Sequence, residues 1–77
     1  MDQVVVGGIY HHFKGGLYIV DNVALHHEDQ TKWVVYHSYN TNVLYVRPLD
    51  MFVSEVDKEK YPDVVQKQRF KLIGKAL

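Results

Sequence analysis

Cysteine is absent from this 77-residue chain, proline occurs twice and tryptophan once. Without thiols there is neither a disulfide framework nor a thiolate metal site, a lack that suits a reducing compartment. No apolar stretch approaches the roughly 20 residues that a membrane-spanning helix needs, and no basic start leads into an apolar run at the N-terminus. An excess of either charge is missing too, because nine basic and nine acidic residues cancel. Non-specific binding to nucleic acid rests on many phosphate contacts by Lys and Arg, so a neutral chain with no basic run is poorly suited to it. A small anion asks only for two or three placed donors, which this composition allows. These absences predict a soluble, cytoplasmic protein with no membrane partner.

The chain has room for one domain, spanning residues 1–77. A domain of this size buries only roughly 60% of the surface its unfolded chain exposes. With 47% hydrophobic residues, either the core is dense or some apolar surface faces a second copy, so a homo-oligomer is expected. Short runs rich in Val, Ile, Tyr and Phe alternate with turn residues, which is the pattern of strands joined by hairpins. The predicted strands run from about Val4 to Phe13, Leu17 to Val20 and on to His26, Trp33 to Tyr39, Val43 to Arg47, and Arg69 to Ile73. Lys14-Gly15-Gly16 supplies a tight turn, and Pro48-Leu49-Asp50-Met51-Phe52 reads as a single helical turn opened by proline. The charged stretch Asp57 to Gln68 reads as a loop. About five strands with hairpin spacing predict a mostly-β fold, a small antiparallel SH3-like barrel with one short helical turn. An open sheet that dimerises is the other arrangement the pattern allows.

Residues two apart in a strand share a face. Ile9, His11 and Phe13 therefore fall on one side of the first strand, and Tyr10, His12 and Lys14 on the other. Leu44 and Val46 oppose Tyr45 and Arg47, and Ala24 and His26 oppose Val23 and Leu25. In each strand one set suits a core, and the other is aromatic, basic or imidazole-bearing. If the second sets converge, Tyr10, His12, Lys14, Tyr18, His26, Tyr45 and Arg47 form one ligand-binding surface. Its rings would stack on a planar group, and its cations would hold phosphate or carboxylate.

Other chemistries find less support. His12, His26, Glu28 and His37 are ligand types for zinc, but no helical H-x-x-x-H or comparable spacing is present, so no metal is expected. Ser38 and Ser54 sit in no nucleophile-elbow context, and a domain this small offers little depth to exclude water. Neither catalysis nor a cofactor is expected. Gly7-Gly8 and Gly15-Gly16 are turn glycines, because no helix follows them to face an anion.

The segments Tyr10-His11-His12-Phe13-Lys14-Gly15-Gly16-Leu17-Tyr18-Ile19-Val20, Ala24-Leu25-His26-His27-Glu28, Val34-Val35-Tyr36 and Val46-Arg47-Pro48-Leu49-Asp50-Met51-Phe52 occur in that order. Together they resemble a family of small bacterial and bacteriophage domains, domain of unknown function sixteen fifty-three. Its pattern runs Y-x-H-F/Y-K-G-x-x-Y-x-V, A-x-H-x-E, V-V-Y, V-R-P-L-x-M-F and a closing R-F, the last matched by Arg69-Phe70. The chain departs from it at Ser38-Tyr39-Asn40-Thr41-Asn42, which lacks the family's turn glycine, and at Tyr45, where Trp is common. The resemblance implies a compact, mostly-β domain and transfers no activity. Its motif contains Tyr10, His12, Lys14, Tyr18, His26 and Arg47, six of the seven residues selected by strand parity.

The function expected from these readings is a non-enzymatic module that binds or sequesters a small nucleotide-type anion, in one version a phage-type sponge for an immune signal. The alternatives are an adaptor that binds a peptide or sheet edge and a weak RNA-binding barrel.

Overall fold

The β-rich runs of the sequence become five strands. The computed structural model describes residues 4–76. β1 covers Gly8–His12, β2 Leu17–Leu25, β3 Lys32–Ser38, β4 Leu44–Pro48 and β5 Phe70–Lys75, with a four-residue helix α1 at Leu49–Phe52. The strands form one antiparallel sheet in the order β4-β3-β2-β1-β5. The expected mostly-β class, strand number and helical turn are all present. The sheet is not closed, however: β4 and β5 are its two edges, so any likeness to a barrel is loose.

Two irregularities decide which side chains share a face. Along β2, Tyr18, Ile19 and Val20 pair with Ser38, His37 and Tyr36, but Asn22 then pairs with Val35, so Asp21 is the extra residue of a bulge. A one-residue insertion reverses the in–out alternation of everything beyond it. Val23 therefore lies on the Val34 side of the sheet, and Ala24 beside Trp33 on the other. A second register shift separates Ile9 and Tyr10 in the pairing of β1 with β5. Gly8 lies at this crowded place, where an added Cβ would stand 2.8–2.9 Å from the Val5 carbonyl and from the Tyr10 and Leu72 side chains.

The core occupies the aromatic face. Tyr10, Val20, Val34, Tyr36, Phe52 and Phe70 form its buried cluster. The pairing of apolar sequence sets with the interior therefore does not hold along β4, where Leu44 and Val46 are 63% and 60% exposed. Phe52 from α1 stacks on Phe70 at 4.1 Å between ring centroids with only 7° between the planes, and its edge contacts Tyr10 and Tyr36. Rings bury about 150–250 Å² each, and α1 with the start of β5 is laid over the face that offers them. On the opposite face, Leu44 and Val46 have no such cover among the described residues.

After α1 the chain doubles back. Val56 N–H donates to the Lys67 carbonyl and Arg69 N–H to the Ser54 carbonyl, with an isolated bridge at Glu55 and Gln68. These bonds close the 57–68 loop at its base. Gln66 ties that loop to β1, donating from Nε2 to the His11 carbonyl at 2.9 Å and accepting from His11 Nδ1 at 2.9 Å. The loop is thereby held beside the β1–β2 hairpin.

Candidate functional site

His12 ends β1 and begins the hairpin turn. Its amide donates to the Gly16 carbonyl, and the Gly15 amide donates back to the His12 carbonyl at 2.8 Å. Gly15 takes a φ of +105°, a conformation glycine reaches without strain. The turn also fixes the imidazole, because the Lys14 amide donates to His12 Nδ1 at 3.1 Å. A ring nitrogen that accepts from N–H carries no proton, so the neutral ring has its proton on Nε2. The ring stands edge-on to Phe70 at 4.8 Å and lies 6.3 Å from Tyr18.

Arg47 comes from the end of β4, on the inner face beside Val34. Its Nε donates to the Tyr36 hydroxyl at 3.2 Å, and its guanidinium lies 5.7 Å from the Phe70 ring centroid. Arg69, just before β5, donates from Nε to Ser54 Oγ at 3.0 Å, and the Ser54 hydroxyl donates to the Met51 carbonyl at 2.6 Å. Each guanidinium is thus anchored through Nε, which leaves its two terminal nitrogens as donors. The 57–68 loop adds Tyr61, whose ring packs on Phe13 at 5.0 Å with the Lys14 and Lys60 ammonium groups 5.1 and 5.7 Å from its centroid. The nearby ammonium of Lys14, with that of Lys60, holds the Tyr61 phenol below its ordinary pKa.

Two adjoining hollows result, and His12 and Arg47 line both. The polar one, about 360 Å³, is completed by Phe13, Lys14, Asp57, Lys60, Tyr61 and Arg69. The aromatic one, about 190 Å³, is completed by Tyr18, Tyr36, Tyr45 and Phe70. Tyr36 and Tyr45 stack there at 5.7 Å. Among the described residues, none of Lys14, Arg47, Lys60 and Arg69 forms an ion pair. Asp57 is the one carboxylate among the described residues that lines the polar hollow, and it caps its own turn, accepting from the Glu59 and Lys60 amides at 3.0 and 3.4 Å. Partial burial, then Arg47, Arg69, Lys14 and His11, lower the His12 pKa from 6.5 to about 4. At neutral pH the ring is therefore an uncharged donor among cations.

Five of the seven residues selected by parity meet here: His12, Lys14, Tyr18, Tyr45 and Arg47. Tyr10 lies on the same face but deeper, buried in the core, where its hydroxyl accepts from the Val5 amide at 3.0 Å. His26 lies elsewhere. The Asp21 bulge turns its end of β2 over, and it packs 6.0 Å from Trp33 in a hollow lined by Ala24, Leu25, Val35 and Val46. Parity missed Phe13, Tyr36, Asp57, Lys60, Tyr61, Arg69 and Phe70. The Arg69-Phe70 dipeptide carried a signal, since it opens the last strand with a cation beside a ring. Lys60 and Tyr61 carried none, because they belong to a loop without periodicity. Among the described residues, no cluster of three or more His, Cys, Asp or Glu could hold a metal ion, and no helix is long and apolar enough to cross a membrane.

The sequence profile of a family described as "Protein of unknown function (DUF1653)" matches residues 8–72. The chain belongs to this family. The crystal structure of another DUF1653 protein, from Bordetella bronchiseptica, resembles the fold over 100% of this chain and 97% of that one, with a TM-score of 0.76 at 23% sequence identity. At that identity the likeness concerns the fold alone. No curated protein matches the chain. Every residue lining the two hollows falls within the span matched to DUF1653.

Proposed function

We propose that this domain is a non-enzymatic binding module whose ligand is a small anion bearing a planar group, with nucleotides as the chemical class. The observation that carries this assignment is a set of four cations beside a ring-lined hollow that form no ion pair among the described residues. An excess of cations confined in one concavity favours an anionic guest, and Arg forks match phosphate geometry. Tyr18, Tyr45 and Phe70 provide ring faces and edges for a base. His12 supports holding rather than turnover. Its Nδ1 is occupied by the Lys14 amide and its Nε2 is protonated, so the neutral ring has no free lone pair with which to act as a base. Affinity without turnover suits a protein that sequesters a nucleotide signal.

Calorimetry with AMP, a cyclic dinucleotide and ADP-ribose tests the assignment. Binding of at least one of them at micromolar concentration is expected, and its loss in Arg47→Met would place it at this site. No heat from any of the three overturns the proposal. Native mass spectrometry of the purified protein reads co-purified ligand and subunit number together, and so also tests the self-association expected from composition.

A further inference from the structure

The two hollows divide the ligand unequally, and their charge says how much of it is phosphate. Lys14, Arg47, Lys60 and Arg69 contribute four positive charges to the polar hollow, and Asp57 contributes one negative charge. His12 adds none, being neutral at pH 7. Four minus one leaves an excess of three positive charges in a space of about 360 Å³. A phosphate monoester brings at most two negative charges near neutral pH, with its second ionisation near pH 6.

The donors are also arranged in duplicate. Arg47 and Arg69 are each anchored through Nε to a different hydroxyl, Tyr36 and Ser54, from different segments of the chain. Each therefore presents its own pair of terminal N–H groups, and one such fork matches one phosphoryl group. Lys14 and Lys60 flank them, their ammonium groups lying beside the Tyr61 ring. The aromatic hollow, of about 190 Å³ and lined by tyrosines, has room for one planar group.

Resting on the ligand class proposed above, we infer that this site is built for a nucleoside diphosphate unit. One phosphoryl group lies on the Arg47 fork and the other on the Arg69 fork, with the base in the tyrosine-lined hollow. Lys14 leaves the Tyr61 ring for the anion. His12 stays neutral and serves as a hydrogen-bond donor from Nε2.

The full chain is titrated calorimetrically, at about 0.15 M salt, with adenosine, AMP, ADP, GMP, GDP and inorganic pyrophosphate. The expected order is diphosphate over monophosphate by at least about tenfold with at least one of the two bases. Adenosine should give no measurable heat, and pyrophosphate should bind more weakly than the better diphosphate because it leaves the rings uncovered. Arg69→Met should bring diphosphate and monophosphate to within about threefold of each other while monophosphate binding persists. Thermal unfolding of that variant checks that it is folded. Should Arg69→Met prove unfolded, Arg69→Lys replaces it and should narrow the preference, since an ammonium lacks the fork. Equal affinity for monophosphate and diphosphate with both bases overturns the inference but leaves the nucleotide assignment standing. No binding by any nucleotide overturns both.

Discussion

The two faces of the sheet use the same strands for opposite ends. On the inner face, Tyr10, Tyr18, Tyr36, Tyr45 and Phe70 stand among His12 and Arg47, and the more central rings are sealed by α1. On the outer face, Ile9, Ile19, Val35, Val46 and Leu44 make up the aliphatic side of the register, and among the described residues nothing folds over Leu44 or Val46. Hydrophobicity alone would have exchanged them. Rings resolve the paradox because they are amphipathic: a tyrosine can seal a core with its ring and meet a ligand or water with its hydroxyl. Core and candidate site are therefore continuous on the inner face, Tyr36 being buried in one while it anchors Arg47 for the other.

Phe70 is where that continuity can be broken most severely. It stacks on Phe52, meets Tyr18, Tyr36 and His12 edge-on, and floors the aromatic hollow. Phe70→Ala should cost about 3–5 kcal/mol, the usual range for emptying a buried ring site, read as a lower urea midpoint with an unchanged m-value. A loss below about 1 kcal/mol would mean that the inner rings do not form one packed unit.

Much of this fold was legible in the sequence, and the reasons for the remainder are local. The five strands follow from β-branched and aromatic runs cut by Gly15-Gly16, the 27–31 tip and Asn40-Thr41-Asn42. The helical turn follows from Pro48, which stands as its N-cap rather than its first residue. Strand parity found His12, Lys14, Tyr18, Tyr45 and Arg47 because no bulge intervenes within their own short runs. It placed His26 with them because a single extra residue, Asp21, is invisible to period-two reasoning and inverts everything after it. Arg69 and the loop residues Lys60 and Tyr61 reach the site through long-range bonds, such as Gln66 to His11 and Arg69 to Ser54. Pairings across such separations have no local pattern to reveal them.

Protonation of His12 probes the inner face more gently. With its pKa at about 4 instead of 6.5, the folded chain refuses a proton that the unfolded chain accepts. Between those two values the unfolded state binds more protons, so this group makes stability fall as pH drops from about 6.5 towards about 4. Above about 6.5 it adds no slope. An NMR titration should find the His12 ring midpoint well below the ordinary imidazole range. Arg47→Met should raise it, by removing the largest of the charges that hold it down, and bound pyrophosphate should raise it as well. A midpoint near 6.5 in the free protein would mean that neither burial nor the cations act on the ring as described.

Val46 supplies the matching test from the other face. It sits opposite Val35, and 60% of it is exposed. Threonine keeps the branched Cβ that suits a strand and places a hydroxyl where water already reaches. In a monomeric chain Val46→Thr should therefore change stability by no more than about 0.5 kcal/mol and leave nucleotide binding unaltered. The comparison of faces sharpens if dilution is added to the measurement. A stability that depends on protein concentration in the parent chain, and that loses this dependence in Val46→Thr, would show that the aliphatic face is covered by a second copy. A concentration-independent stability with a loss above about 1 kcal/mol would instead place Val46 in a packed environment within its own chain, and the contrast between the faces would fail.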